Sequence, residues 1–394
     1  MHRVTLHAGR EKSLRLKHPW VFSGAIAAAD AAVGSGETVA LYAADGQFLA
    51  SAAWSPASAI RARVWSFDAR ATIDAAFIAA RVRAAVAARQ PMLDAAHTGC
   101  RLVHAESDGL PGVIADRYGD VVVMQLHSAG AEAWRGAIVD ALAEATGCAA
   151  VYERSDAEVR TLEGLPPRSG TAAGVLPARV SLLEDGLRFD VDVIGGQKTG
   201  FFLDQRENRH KIRALARNRD VLDGFCYTGG FTVAALAGGA RSVLSIDTSA
   251  DALVRARENV AQNGLDAERC DWRDADVFAE LRKLRDSARS FDLIVLDPPK
   301  FAPTARHAVK AARAYKDINL LALKLLRTGG LLATFSCSGG IAADLFQKIV
   351  AGAALDAGVE AAIVGRFTPG ADHPVALNFP EGDYLKGLLI RKHA

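Results

Sequence analysis

The sequence predicts an α/β protein in which a mostly parallel sheet, covered by helices on both faces, follows a small β-rich segment and a small mixed α+β module. Three observations carry this. Beyond Gly195, short apolar runs alternate with helical stretches: DVLDGF, SVLSID, FDLIVLDPP, GLLATFS and YLKGLLIRK. From Val4 to about Phe67 the pattern is one of short alternating runs broken by Gly and Pro. Half of the 394 residues are hydrophobic, enough apolar material for two or three cores.

In the β-rich segment the runs are RVTLH, VFSGAI, TVALYAADGQFLASAAW and IRARVW, and Asp45-Gly46 supplies the tight turn of a hairpin. A helix over 71–89 follows from the spacing of Ile73, Phe77, Ile78, Val82 and Val86; Thr72 or Asp74 serves as its cap and Pro91 ends it. Residues 100–190 offer strands RLVHAE, GVIADRYGDVVVMQLH and AAVYERS, a helix over 131–145 and a final strand RVSLLEDGLRFDVDV. LPPRSGTAAGVLP, rich in Gly and Pro, reads as a loop.

Lys plus Arg number 47 against 45 Asp plus Glu, so any footprint for a polyanion must be local. Residues 1–20 have such a bias: Arg3, Arg10, Lys12, Arg15 and Lys17 face Glu11 alone. A short basic run by itself is more often a solvated face than a binding site. The five cysteines contain no C-x-x-C pair, which argues against a disulfide framework and a zinc site, and no metal is expected. No stretch reaches the ~18 apolar residues of a membrane span, and the first residues lack the apolar core of a signal peptide. Soluble, cytoplasmic and without a membrane partner is the expectation.

The strand at Val221–Asp223 runs into Gly224-Phe225-Cys226-Tyr227-Thr228-Gly229-Gly230 and an Ala-rich helix, a glycine turn where a nucleoside ligand meets bare backbone and a helix amino terminus. The next strand ends in Asp247, followed by Thr248 and Ser249, at the distance where a carboxylate accepts from both hydroxyls of a ribose. The loop lacks G-x-G-x-x-G, which disfavours a dinucleotide. Asp276, before a further helix, is suited to an adenine amino group; its plain alternative is a helix cap.

FDLIVLDPPKF is the most specific signal. A buried strand delivers Asp297, and Pro298 and Pro299 then stiffen the backbone and strip it of donors, so that its carbonyls face a flat substrate, with Lys300 and Phe301 following. The next strand ends in Thr334-Phe335-Ser336-Cys337-Ser338-Gly339-Gly340. Most free cysteines are inert small hydrophobes. A thiolate at this edge, however, suits one reaction well: C5 of a pyrimidine becomes nucleophilic once a thiolate adds at C6.

Together these motifs resemble the PUA-domain-containing class I methyltransferases that make 5-methylcytosine in 23S ribosomal RNA. The resemblance is carried by GGQKTGFFLDQRENR (195–209), LDGFCYTGGF (222–231), IDTS (246–249), LDPPKF (296–301), AYKDINLLAL (314–323), TFSCSGG (334–340), ADHPV (371–375) and YLKG (384–387), and it spans essentially the whole chain. It implies a PUA-like RNA-binding domain over 1–70, a small α+β domain over 71–190 and a methyltransferase domain with a seven-stranded sheet over 191–394. It implies S-adenosylmethionine as cofactor, held around Phe225, Tyr227, Thr228, Gly229, Asp247, Thr248, Ser249, Asp276 and Asp297, with Asp204 and Arg206 near its methionine part. It implies catalysis by Cys337 with Asp297, and RNA contacts from Pro298, Pro299, Lys300, Phe301, Arg10, Lys12 and Lys17. The partner implied is 23S rRNA or the assembling large subunit, with a homodimer left open. The two-cysteine relatives carry a second cysteine where this chain has Lys300, so product release proceeds differently here. A related family methylates guanine N7. Methylation of a guanine nitrogen or an exocyclic amine, with Cys337 structural, is therefore the alternative, and a non-catalytic RNA-binding factor is a second one.

Overall fold

A computed structural model describes residues 1–302 and 308–393, which form two compact units. Unit 1 comprises Met1–Gly186 with Val191–Leu203 and Ala371–Gly382; unit 2 comprises Leu187–Asp190, Asp204–Gly370 and Asp383–Ala394.

Unit 1 carries two cores. The first lies under a six-stranded sheet built from strands between His2 and Ser66, with Val4, Leu6, Leu41, Ala50 and Val64 buried. Its hairpin pairs Thr38–Tyr42 with Phe48–Trp54, and Gly46 at the turn has φ +86°. The second core joins a five-stranded sheet to the helix Ala75–Arg89, where Ile78, Val82 and Val86 meet Val103, Val122 and Met124. Asp74, not Thr72, caps this helix, accepting from the Phe77 amide at 2.8 Å. The helix expected over 131–145 is instead two, Ala129–Ala133 and Arg135–Thr146, broken at Trp134. RVSLLEDGLRFDVDV likewise breaks at Asp185 and Gly186, both at positive φ, into Ser181–Glu184 and Leu187–Asp190. LPPRSGTAAG is not wholly a loop. Arg168–Gly174 is a strand at the edge of the five-stranded sheet, paired antiparallel with Ala150–Ser155.

The segment 371–382 is bound into unit 1 by a buried polar network. Asp372 accepts from the Arg101 amide at 2.9 Å and contacts His373 Nδ1 at 3.0 Å, and its carbonyl accepts from Arg89 at 3.4 Å. Arg101 also forks onto Asp116 at 2.8 and 2.9 Å. Burial and the nearby Arg101 guanidinium push the His104 imidazole down to about 2, so it is neutral in the folded protein.

Unit 2 contains one seven-stranded sheet. In chain order its strands are β1 (Asp220–Gly224), β2 (Ser242–Asp247), β3 (Cys270–Asp274), β4 (Phe291–Leu296), β5 (Leu326–Ser336), β6 (Ala361–Phe367) and β7 (Lys386–Lys392). They lie in the order β3-β2-β1-β4-β5-β7-β6, parallel except for β7, which is antiparallel to β5 and β6. Helices α1 (Arg206–Leu215), α2 (Gly230–Ala237), α3 (Ala250–Gln262), α4 (Val277–Asp286), α5 (Ala308–Leu325) and α6 (Ala343–Ala357) complete the alternation. The central strands are buried on both faces, as their near-continuous apolar sequences require. The sheet order reverses between β1 and β4, so the carboxyl ends of those strands form the crevice in which an open α/β sheet binds ligands.

Candidate active site

Residues 225–229 leave β1 through an unusual backbone: Phe225 and Tyr227 sit at φ +65° and +48°, and Gly229 at +77°. Non-glycine residues at positive φ cost energy and persist only where the surroundings over-determine them. Here the determinants are visible. The Phe225 and Cys226 amides donate to the Ile246 carbonyl at 2.9 and 3.1 Å, and the Tyr227 amide donates to Asp247 at 2.8 Å. Gly229 immediately precedes α2 as its N-cap, and a Cβ there would come within 2.9 Å of the Ala256 Cβ, so the start of α2 approaches α3 closely only because it is glycine. Thr228 is buried, its carbonyl accepting from Asn259 at 2.9 Å.

Asp247 ends β2 and is half-buried; besides Tyr227 it accepts from the Ser249 amide at 2.9 Å. Each of its oxygens therefore holds the loop and keeps a lone pair for a ligand. Ser249 caps α3 through the Ala252 amide, and Thr248 between them is exposed. Asp276, past the end of β3, caps α4 through the Ala279 amide at 2.8 Å, so the plain role of this residue is realised, with the rest of its exposed carboxylate facing outward.

A carboxylate that the sequence pattern does not single out belongs to this edge as well. Asp223, the penultimate residue of β1, is fully buried; Oδ2 accepts from Thr232 at 2.7 Å, and Oδ1 is buried without a hydrogen-bond partner among the described residues. Burial raises its carboxyl to about 7, the Thr232 bond opposes this, and the nearby Asp297 and Asp247 charges add to it. Three carboxyl groups thus converge at the ends of β1, β2 and β4. Such a mouth suits a ligand that carries positive charge and hydroxyl donors, and it disfavours phosphates.

Asp204 is buried and accepts from Tyr384 Oη at 2.5 Å, while its carbonyl takes the Gly370 amide at 3.0 Å. Arg206 begins α1 and is also buried. Tyr384 is legible in the sequence only as part of YLKG, because nothing in its spacing marks it as a partner of Asp204.

At the end of β4, Asp297 is half-buried, Pro298 buried, and Pro299 and Lys300 exposed. Phe301 is half-buried in an aromatic row, 5.9 Å from Phe278 and 4.9 Å from Tyr315 between ring centroids; these contacts brace the loop. Cys337 follows β5 directly, half-buried, with Sγ 3.9 Å from the Pro298 carbonyl oxygen. The sulfur thus lies against the Asp297-Pro298 turn. None of the five cysteines is in a disulfide. By contrast, burial pushes Cys226 well above the ordinary thiol range and Cys270 to about 12, which leaves both inert.

Arg10, Lys12 and Lys17 are exposed and belong to unit 1. Lys17 lies with Nζ 4.7 Å from the centre of the Phe67 ring. No helix among the described residues is long and apolar enough to cross a membrane.

The family model for S-adenosylmethionine-dependent methyltransferases matches residues 172–366, and that for PUA-like domains matches residues 4–67. Among solved structures, a chain from Streptococcus mutans described as a SAM-dependent methyltransferase superposes with a TM-score of 0.86 at 22% identity, covering 99% of this chain and all of that one. A methyltransferase complexed with S-adenosylhomocysteine superposes with a TM-score of 0.85 at 23% identity, with the same coverage. At these identities the likeness speaks for the fold. Curated relatives are far nearer in sequence. The ribosomal RNA large subunit methyltransferase I proteins of Shewanella denitrificans and Shewanella amazonensis are 49% and 50% identical over 393 and 391 residues, 99% of both chains in each case. That of Salmonella enteritidis is 48% identical over 395 residues, covering 99% of this chain and 97% of its own. With the fold, both family models and full-length relatives in agreement, the chain belongs to the S-adenosylmethionine-dependent ribosomal RNA large subunit methyltransferase I family.

Proposed function

We propose that this methyltransferase modifies C5 of a cytosine in 23S ribosomal RNA through a covalent bond between Cys337 and C6 of the base. The observation that carries the reading is the position of Cys337, whose sulfur lies against the Pro298 carbonyl at the edge where the cofactor crevice opens. S-adenosylmethionine supplies an electrophilic methyl group. Asp247 receives the ribose hydroxyls, Phe225 to Gly229 line the nucleoside, and Asp276, Thr248 and Ser249 complete that end. Asp204 and Arg206 face the methionine part. Pro298, Pro299 and Lys300 shape the slot for the base, and Asp297 orients it by accepting from its amine.

The Cys337 thiolate adds to C6, which makes C5 enamine-like. C5 takes the methyl group as the sulfonium's S–CH3 bond breaks and S-adenosylhomocysteine leaves, and C5 then loses its proton to a base. The C6–S bond finally breaks, restoring the aromatic ring and the thiolate. RNA bearing 5-fluorocytosine at the target cannot release its C5 substituent as a proton. It is expected to stay attached to wild-type enzyme as a species that survives denaturing electrophoresis and maps to the Cys337 peptide. Absence of the adduct, with turnover on ordinary RNA intact, points instead to a guanine nitrogen or an exocyclic amine.

In the same reading, residues 1–70 grip RNA, 71–190 form a central domain and 191–394 carry the chemistry. The basic face at Arg10 and Lys12 supplies phosphate contacts. Arg10→Glu combined with Lys12→Glu is expected to weaken RNA binding and to flatten its log–log salt dependence by about 0.7–0.9 for each phosphate no longer neutralised, with cofactor affinity unchanged. Filter binding across a salt series checks this, and an unaltered slope removes the face from the RNA site. Charge reversal is preferable to deletion, because Ala53 and Trp65 contribute to the second core of unit 1.

A further inference from the structure

The loop that carries Cys337 is held from two sides by residues that the mechanism above does not use. Beneath it, fully buried Tyr315 of α5 closes a ring of hydrogen bonds. Ser336 Oγ donates to Tyr315 Oη at 2.9 Å, Tyr315 Oη and Ser338 Oγ lie 2.9 Å apart, and the Ser338 amide reaches Ser336 Oγ at 3.3 Å. Ser338 Oγ also accepts from the Ala302 amide at 3.0 Å, which ties the Cys337 loop to the chain following Asp297-Pro298. Cys337 lies between the two serines of this ring.

From the side comes Lys386, the first residue of β7 and the cross-strand partner of Ser336. Its Nζ donates to the Ser338 carbonyl at 3.0 Å and the Ile341 carbonyl at 2.7 Å, so the ammonium spans the turn that follows the cysteine. A lysine half-buried in this way is an expensive means of tying two carbonyls, since neutral donors exist for that task.

We propose that Tyr315 and Lys386 are positioning residues for Cys337: the phenol fixes the two serines that flank it, and the ammonium fixes the turn after it and sets a positive charge beside its sulfur. This rests on the reading of Cys337 as nucleophile. A thiolate forms more readily beside a cation, and its aim at a ring carbon depends on a loop that does not drift. The charged and titratable groups acting on the pair come from several elements. Asp383, ahead of β7, and Cys337 itself favour the charged form of Lys386, while burial, the larger effect, and Lys300 oppose it. Cys337 and Asp297 both act on Tyr315, whose hydroxyl burial raises above the ordinary phenol range. Two carbonyl acceptors favour the protonated amine against its burial.

The test is the pH dependence of Cys337 alkylation by iodoacetamide in full-length enzyme, read peptide by peptide by mass spectrometry. Lys386→Gln keeps an amide donor and drops the charge. It is expected to move the alkylation midpoint up by about one pH unit, making alkylation about tenfold slower below it. Lys386→Arg is expected to restore the midpoint. Tyr315→Phe keeps the ring and loses the hydroxyl; it is expected to leave the midpoint in place and lower kcat for methyl transfer roughly ten- to a hundredfold with KM for RNA unchanged. S-adenosylhomocysteine binding measured by calorimetry shows that each variant is folded. A wild-type midpoint in folded Lys386→Gln, or wild-type kcat in Tyr315→Phe, overturns the proposal. If Cys337→Ala remains active, the cytosine-C5 reading falls, while the alkylation profile still reports on Lys386 because it needs no RNA.

Discussion

Cys337→Ala is expected to reduce methyl transfer to background while the protein folds and binds S-adenosylmethionine as before. The side chain is half-buried in a loop at the sheet edge, outside the core clusters, so its removal leaves no deep cavity. In the proposed function the cofactor end of the crevice is built by other loops, those that follow β1 and β2, which Asp247 holds together without the sulfur. The chemistry, in contrast, loses its first step. Unassisted C5 of cytosine is too weak a nucleophile, and general acid–base help of about 10²–10⁴-fold cannot replace covalent activation. Methyl incorporation into unmodified large-subunit RNA, with calorimetry on the same preparation, checks both halves. Near wild-type incorporation would transfer the assignment to a guanine nitrogen or an amine.

The second large effect is expected at Asp247. Its carboxylate has two tasks, receiving the Tyr227 and Ser249 amides at 2.8 and 2.9 Å and, in the proposed function, the ribose hydroxyls. Asp247→Ala removes all of these at once. The strained stretch around Phe225 and Tyr227 then loses one of the bonds that impose its positive φ. Charge-assisted hydrogen bonds are worth about 1.5–3 kcal/mol each, so the loss of two to the ribose alone raises the cofactor Kd at least about a hundredfold. Asp247→Asn, which keeps one acceptor, is expected to fall between the two. Unchanged affinity in a folded Asp247→Ala variant refutes the ribose assignment.

What the sequence discloses depends on where each element lies in its sheet. Strands buried on both sides, such as Phe291–Leu296 with its run Leu293 to Leu296, carry apolar stretches and are readable directly. Cys270–Asp274, Ala361–Phe367 and Arg168–Gly174 are not, and each is an edge strand. An edge strand satisfies one row of backbone groups and leaves its side chains largely to solvent, so CDWRD and RSGTAAG have no need of an apolar pattern. The site follows a similar rule. Glycine turns, Asp-Pro-Pro and a cysteine at a strand end announce themselves by unusual residue types. Tyr315 and Lys386 act, in the proposal above, through partners distant in the chain, Ser338 and Ile341, and no local spacing encodes those contacts.

Unit 1 is assembled from three separate stretches, the last of them arriving between β6 and β7. For inheritance, this means the two units travel as one locus. A recombination event that transplants the first 186 residues into an enzyme with other residues at 372 and 373 brings the Arg101 amide and Arg89 without the acceptors they use here. Each orphaned buried group costs about 1–3 kcal/mol, a large share of a typical domain's margin. Exchange of unit 1 between enzymes is therefore penalised unless residues 371–382 travel with it.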